Sequence, residues 1–146
     1  MKSLLQPTLV SVAVAVAVVA SGMPAVAEIV ALKADLKASN EVPPNKSTGT
    51  GSITVTYDPA EKMLSWKGSY AGLSGPVIAA HFHGPAEIGW NAGIAVGIAL
   101  GNTAGAFEGS TKITDSQASE LIGGRWYVNL HTAANPAGEI RGQVVK

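Results

Sequence analysis

The chain of 146 residues contains no cysteine. That absence excludes thiolate metal ligands, thiol nucleophiles and dithiol redox chemistry, and it removes disulfides as a source of stability. Charge is sparse: Asp, Glu, Lys and Arg make up 14 % of the residues, ten acidic against ten basic. No run of Lys or Arg occurs, so nothing offers a footprint to nucleic acid or to anionic lipid. Histidine is scarce as well, with three in the whole chain. Long apolar runs are confined to the N-terminus. MKSLLQPTLVSVAVAVAVVASGMPAVAE places Lys2 ahead of an apolar stretch from Leu9 to Ala20, then Ala25-Val26-Ala27 before Glu28. A basic head, an apolar middle and a small-x-small site make a secretory leader, residues 1–27, and predict a periplasmic or secreted protein. The apolar stretch falls short of the roughly 20 residues a spanning helix needs, so no membrane partner is expected once the leader is cleaved. The mean hydropathy of +0.25 is raised by this segment.

What remains, residues 28–146, is long enough to bury a core without covalent staples. It reads as strands. IVALKADLK alternates apolar and polar residues, and SITVTYD is rich in β-branched ones; both patterns belong to half-buried strands. NEVPPNKSTGTG between them is a loop, because prolines and a Ser/Thr/Gly cluster cannot continue a ladder. MLSWKGSYAGL, VIAAHFHG, IAVGIALG, GAFEGSTKI, RWYVNLHT and GEIRGQVV follow, separated by turn signals about every 8–12 residues. TDSQASELIGG, residues 114–124, is the exception: a Thr/Asp cap, good helix formers and a terminal Gly pair predict one helix of about two turns. With no βαβ alternation and no repeat, the expected fold is all-β, an antiparallel Greek-key-like sandwich or barrel with one short helix, in one domain.

On a strand, side chains at i and i+2 project from one face. His81 and His83 in AHFHGPA therefore point together and Phe82 turns away. On RWYVNLHT, His131 shares a face with Asn129 and Tyr127, while Trp126, Val128 and Leu130 read as core. The three histidines are either unrelated polar residues or one site. An isolated strand histidine is usually a surface or hydrogen-bonded group, whereas two on one face with a third at a strand end can converge on one ion. Three neutral imidazoles suit copper or zinc and suit calcium or magnesium poorly, and the affinity order puts copper ahead of zinc. One copper ion per chain is the expectation. Three protein ligands leave an open position for water or a small anion.

Arg141 alternates with Glu139 and Gln143 on the last segment. Beside the strand of His131 it would draw an anion to an open metal position, or else form a surface pair with Glu139 of little energetic weight. Glu139, Asn129 and Glu87 are candidates to support the ligands from behind, although a loop glutamate such as Glu87 is more often simply solvated. A strand edge or the apolar IAVGIAL face leaves room for a homodimer.

Four motifs in order, NEVPP, AGLSGP, AHFHGPA and WYVNLHTAANPAGEIRGQV, resemble the CHRD domain, a module named after chordin and also found alone in exported bacterial proteins. His81, His83, His131, Glu139 and Arg141 fall on its signature positions, whereas Trp90 in EIGWNAG departs from the family pattern. The HxH strand, the distant histidine and the late arginine strand are also similar to the copper half of Cu,Zn superoxide dismutases. With three histidines there is no bridging histidine, no zinc site and no loop disulfide. That resemblance implies a copper-only enzyme disproportionating superoxide, with Arg141 attracting the anion. The alternative is a non-catalytic module that buffers copper or engages an extracellular protein.

Overall fold

The computed structural model describes residues 27–146; the expected leader lies outside the described residues, apart from Ala27. Eight strands and one helix follow in order: β1 (Val30–Lys37), β2 (Thr50–Asp58), β3 (Met63–Ala71), β4 (Val77–His83), β5 (Ile94–Gly97), β6 (Ala106–Lys112), α1 (Asp115–Ile122), β7 (Tyr127–Thr132) and β8 (Ile140–Gln143). A single 3-10 turn, Ala38–Asn40, opens the loop after β1. The strands form one sheet in the order β5-β4-β7-β8-β1-β2-β3-β6, and the named pairings are antiparallel. The all-β expectation holds, in the form of one curled sheet.

Curling brings opposite parts of the sheet together around an apolar interior. Trp66 on β3 meets Phe82 on β4 edge to face, with centroids 5.3 Å apart. Leu36, Ile53, Leu64, Val128, Leu130 and Ile140 fill the space between them, all essentially without solvent contact. Phe82 is fully buried, and burial of such a side chain contributes about 1.5–3 kcal/mol. Gly84, just past β4, is required here: a Cβ on it would stand 2.2 Å from the Trp126 indole.

The helix closes one end. Thr114 accepts from the Gln117 amide at 3.2 Å, and the Gln117 side chain accepts from the Thr114 amide at 3.0 Å. This reciprocal cap satisfies two backbone donors that a helix start would otherwise leave open. Ala118 and Leu121 face the core, and Glu120 accepts from the Trp126 indole at 3.1 Å.

Strand order decides what the outer face does. β7 lies between β4 and β8, pairing His81 with Asn129, His83 with Tyr127, and Asn129 with Arg141. All six residues of β7 are buried. Its inner face meets the core, and its outer face is covered by the loops at 38–49, 72–76, 84–93 and 133–139.

Candidate metal centre

The register sets the three imidazoles on one outer face of β4 and β7. His81 and His83 alternate with Phe82, and His131 sits diagonally from His81, across from Ala79. Each offers one ring nitrogen, and these nitrogens all lie within 4.8 Å of one another. The His81 Nδ1 and His131 Nε2 atoms are 3.1 Å apart. Two ligands about 2.0–2.1 Å from a shared ion, at an angle between square and tetrahedral, stand about 3–3.4 Å apart. His83 and His131 are each 9 % exposed, and His81 is half-buried.

Two of the rings are oriented from behind by backbone carbonyls. His83 Nδ1 donates to Ala92 O at 3.0 Å, and His131 Nδ1 donates to Pro136 O at 3.0 Å. A proton held on Nδ1 leaves the lone pair on Nε2. His83 Nε2 is buried with no hydrogen-bond partner, and the carboxamide oxygen of Asn129, which adjoins the same ring and would accept from a protonated Nε2, also lacks a donor. Buried acceptors without a donor cost free energy, and a cation with nitrogen preference would relieve it. The donor set fits a transition-metal ion. Burial lowers the pKa of His81, with His131 and His83 adding to the effect. Burial also lowers that of His83, opposed by the Ala92 carbonyl. Both shifts favour the neutral, ligating ring.

Arg141 stands elsewhere than beside the open side of the trio. Its guanidinium packs over the Tyr127 ring, 3.4 Å from the centroid. Tyr127 in turn stacks on His83 at 4.9 Å with an interplanar angle of 4°. Because β7 lies between β4 and β8, the imidazole and the guanidinium take opposite faces of the phenol. Arg141 donates to Asn91 Oδ1 at 2.8 Å and to Trp90 O at 2.6 Å. Trp90 as a whole is 71 % exposed.

Glu139 is fully buried on the same face. Its carboxylate accepts from the Ser47 hydroxyl at 2.6 Å, the Ser74 amide at 2.7 Å, the Ser74 hydroxyl at 2.6 Å, and the Thr132 hydroxyl. Burial opposes its charge, and the Ser47, Ser74 and Thr132 donors outweigh burial, bringing the carboxyl down to about 2. Asn129 donates to Ala137 O at 3.4 Å. Glu87 is exposed and faces Arg125 at 3.5 Å, away from the imidazoles.

Glu41 belongs to this face too, although sequence reasoning read its segment only as a loop. It is buried, and Gly138 (φ +134°) passes so close that a Cβ there would stand 2.5 Å from its Oε1. Burial pushes its pKa up to about 7, against the pull of Arg141 and Asn129. The available signal was position: Glu41 lies inside NEVPP, one of the four ordered motifs.

A family model described as the CHRD domain matches residues 32–144. No curated protein and no solved structure gives a match.

Proposed function

The chain belongs to the CHRD domain family, and from that premise we propose that it is an exported copper-binding protein holding one ion on His81, His83 and His131. The observation that carries this reading is the convergence of three imidazole nitrogens within 4.8 Å, the buried His83 Nε2 among them lacking any other partner. The donor chemistry favours copper, since an all-nitrogen site ranks copper above zinc and repels hard cations. Export rests on the leader pattern at 1–27. Among the described residues no helix is long and apolar enough to cross a membrane.

Bound copper would supply one-electron transfer, which is the chemistry superoxide disproportionation needs. The chain's own residues would hold and orient the ion, with Phe82, Val128 and Leu130 behind the strands excluding water from the inner side. His81 borders an open cleft of about 410 Å³ lined by Ile78, Ala79, Gly97 and Leu100, a route by which a small anion such as superoxide would arrive. A second reading, copper holding without turnover, is favoured by Arg141, whose guanidinium is occupied by Trp90 O and Asn91 and screened by Tyr127.

Copper loading followed by metal analysis and EPR tests the common part. One Cu(II) per chain with nitrogen hyperfine structure, lost in His131→Ala, is the expected result; no retained copper overturns it. Superoxide removal then separates the two readings. Turnover above that of the His81→Ala protein supports the dismutase, and equal rates leave the copper-holding module.

A further inference from the structure

Two charged residues at the last strand, Glu139 just before β8 and Arg141 within it, each stand behind one histidine. Arg141 ties down the 84–93 loop through Trp90 O and Asn91 Oδ1, and Asn91 is pinned in turn to Val42 O at 2.9 Å. The next residue in that loop, Ala92, supplies the carbonyl that takes the His83 Nδ1 proton. Tyr127, held under the guanidinium, stacks on the same imidazole, and its hydroxyl meets both Ala92 N at 3.2 Å and Ala92 O at 3.3 Å. Two restraints on His83, the Ala92 carbonyl and the Tyr127 ring, therefore lead back to Arg141.

Glu139 does the corresponding work at the other end. Its carboxylate gathers Ser47, Ser74 and Thr132 around the turn at 133–138, and Asn45 closes that turn by donating to Glu139 O at 2.9 Å and Gly138 O at 3.3 Å. Within the turn, Pro136 supplies the carbonyl for His131 Nδ1. His81 has no such support: the one hydrogen-bond partner of its ring is His131.

We propose that Arg141 and Glu139 are positioning residues with divided duties, Arg141 setting the ring and tautomer of His83 through Ala92, and Glu139 setting those of His131 through Pro136. His81 is the adaptable third donor, completing a site whose other two lone pairs are already aimed. A buried carboxylate just ahead of β8 and a buried guanidinium within it thus serve two carbonyl clamps. The metal site itself rests on the function proposed above, but the division of duties is a property of the metal-free chain.

Long-range 1H–15N imidazole spectra of the metal-free protein test it. In the unsubstituted protein His83 and His131 each show one tautomer, with Nδ1 protonated and Nε2 bare. Arg141→Met and the milder, surface Asn91→Ala turn the His83 pattern into a tautomer mixture and leave that of His131 unchanged. Glu139→Gln and the milder Ser47→Ala do the reverse. A merely structural role moves both rings together or neither, and either result overturns the proposal. If the buried substitutions prevent folding, the Asn91 and Ser47 variants carry the test alone. Because no metal is present in these spectra, they decide the point whether or not copper binds. In copper titrations the same variants weaken affinity by about 10–100-fold, as loss of an orienting outer partner does.

Discussion

The two halves of the sheet treat their outer faces in opposite ways. In β1 and β2, buried and exposed residues alternate almost without exception, and the outer positions Lys33, Asp35, Thr54 and Thr56 face solvent. In β7 and β8 nearly every position is buried, and the outer ones are Tyr127, Asn129, His131, Arg141 and Gln143. Burying that many polar groups costs free energy unless each finds a partner. The first half is a wall that closes the core. The second spends hydrogen bonds, loops and two buried charges on holding three imidazoles in place, which is the expense expected of a site rather than of a scaffold.

The sharpest way to break this contrast is to remove a ligand. His83→Ala and His131→Ala are expected to lower copper affinity by more than the roughly 100-fold typical of an outer partner, read by competition titration, while far-UV circular dichroism stays unchanged. Retained affinity would make the polar half a stability device only.

Removing a buried charge comes next. Glu139→Ala strands the Ser47, Ser74 and Thr132 donors and is expected to cost about 3 kcal/mol in denaturant unfolding at pH 7. The pH dependence carries its own sign. A carboxyl held at about 2 when folded stabilises the fold above its ordinary pKa, and that contribution is lost as pH falls through about 2.

Glu41 has the opposite sign. A carboxyl raised to about 7 in the fold favours the native state fully below its ordinary pKa, and the advantage disappears as pH rises through about 7. Glu41→Gln should therefore flatten the decline in stability between pH 5 and 8, a difference of about 2–3 kcal/mol read from denaturation at the two values. Unchanged pH dependence in the variant would place the burial cost elsewhere. The smallest effect belongs to the plain half: Thr56→Ala, on the solvent face of β2, is expected to stay within about 0.5 kcal/mol of the parent. A larger loss there would mean the two outer faces are less different than their burial implies.

Much of the fold was legible. The alternation in IVALKADLK and SITVTYD located β1 and β2 to within one or two residues, because a half-buried strand writes its period directly into side-chain polarity. Thr114 and Gln117 marked the helix start through a local cap. IAVGIALG shows the limit: it reads as one apolar strand of eight residues, yet β5 stops at Gly97, one last bond from the Ile98 amide to Ala80 O closing the ladder with β4, and apolar content alone cannot say where a partner runs out. Of the site, the histidine pair was visible in period two, and the face of His131 followed from Trp126, Val128 and Leu130 being core. Arg141 was not legible in the same way. Its alternation put it on the correct face, but that the Tyr127 ring and the 84–93 loop would occupy its guanidinium depends on residues 14 and about 50 positions away. Glu41 was harder still, because a glutamate beside two prolines reads as solvated loop until Gly138 and Asn129 are packed over it.

By itself the sequence determined the strand-forming segments, the capped helix, the face on which each histidine projects and the family signature. Each of these depends on interactions within a few residues, where backbone geometry and side-chain polarity suffice. The tertiary structure alone decided that β7 lies between β4 and β8, and hence that His131 meets His81, that Tyr127 separates His83 from Arg141, and that Glu139 and Glu41 are buried. Strand neighbours and loop cover are chosen by packing across the whole sheet, a balance that no local pattern contains.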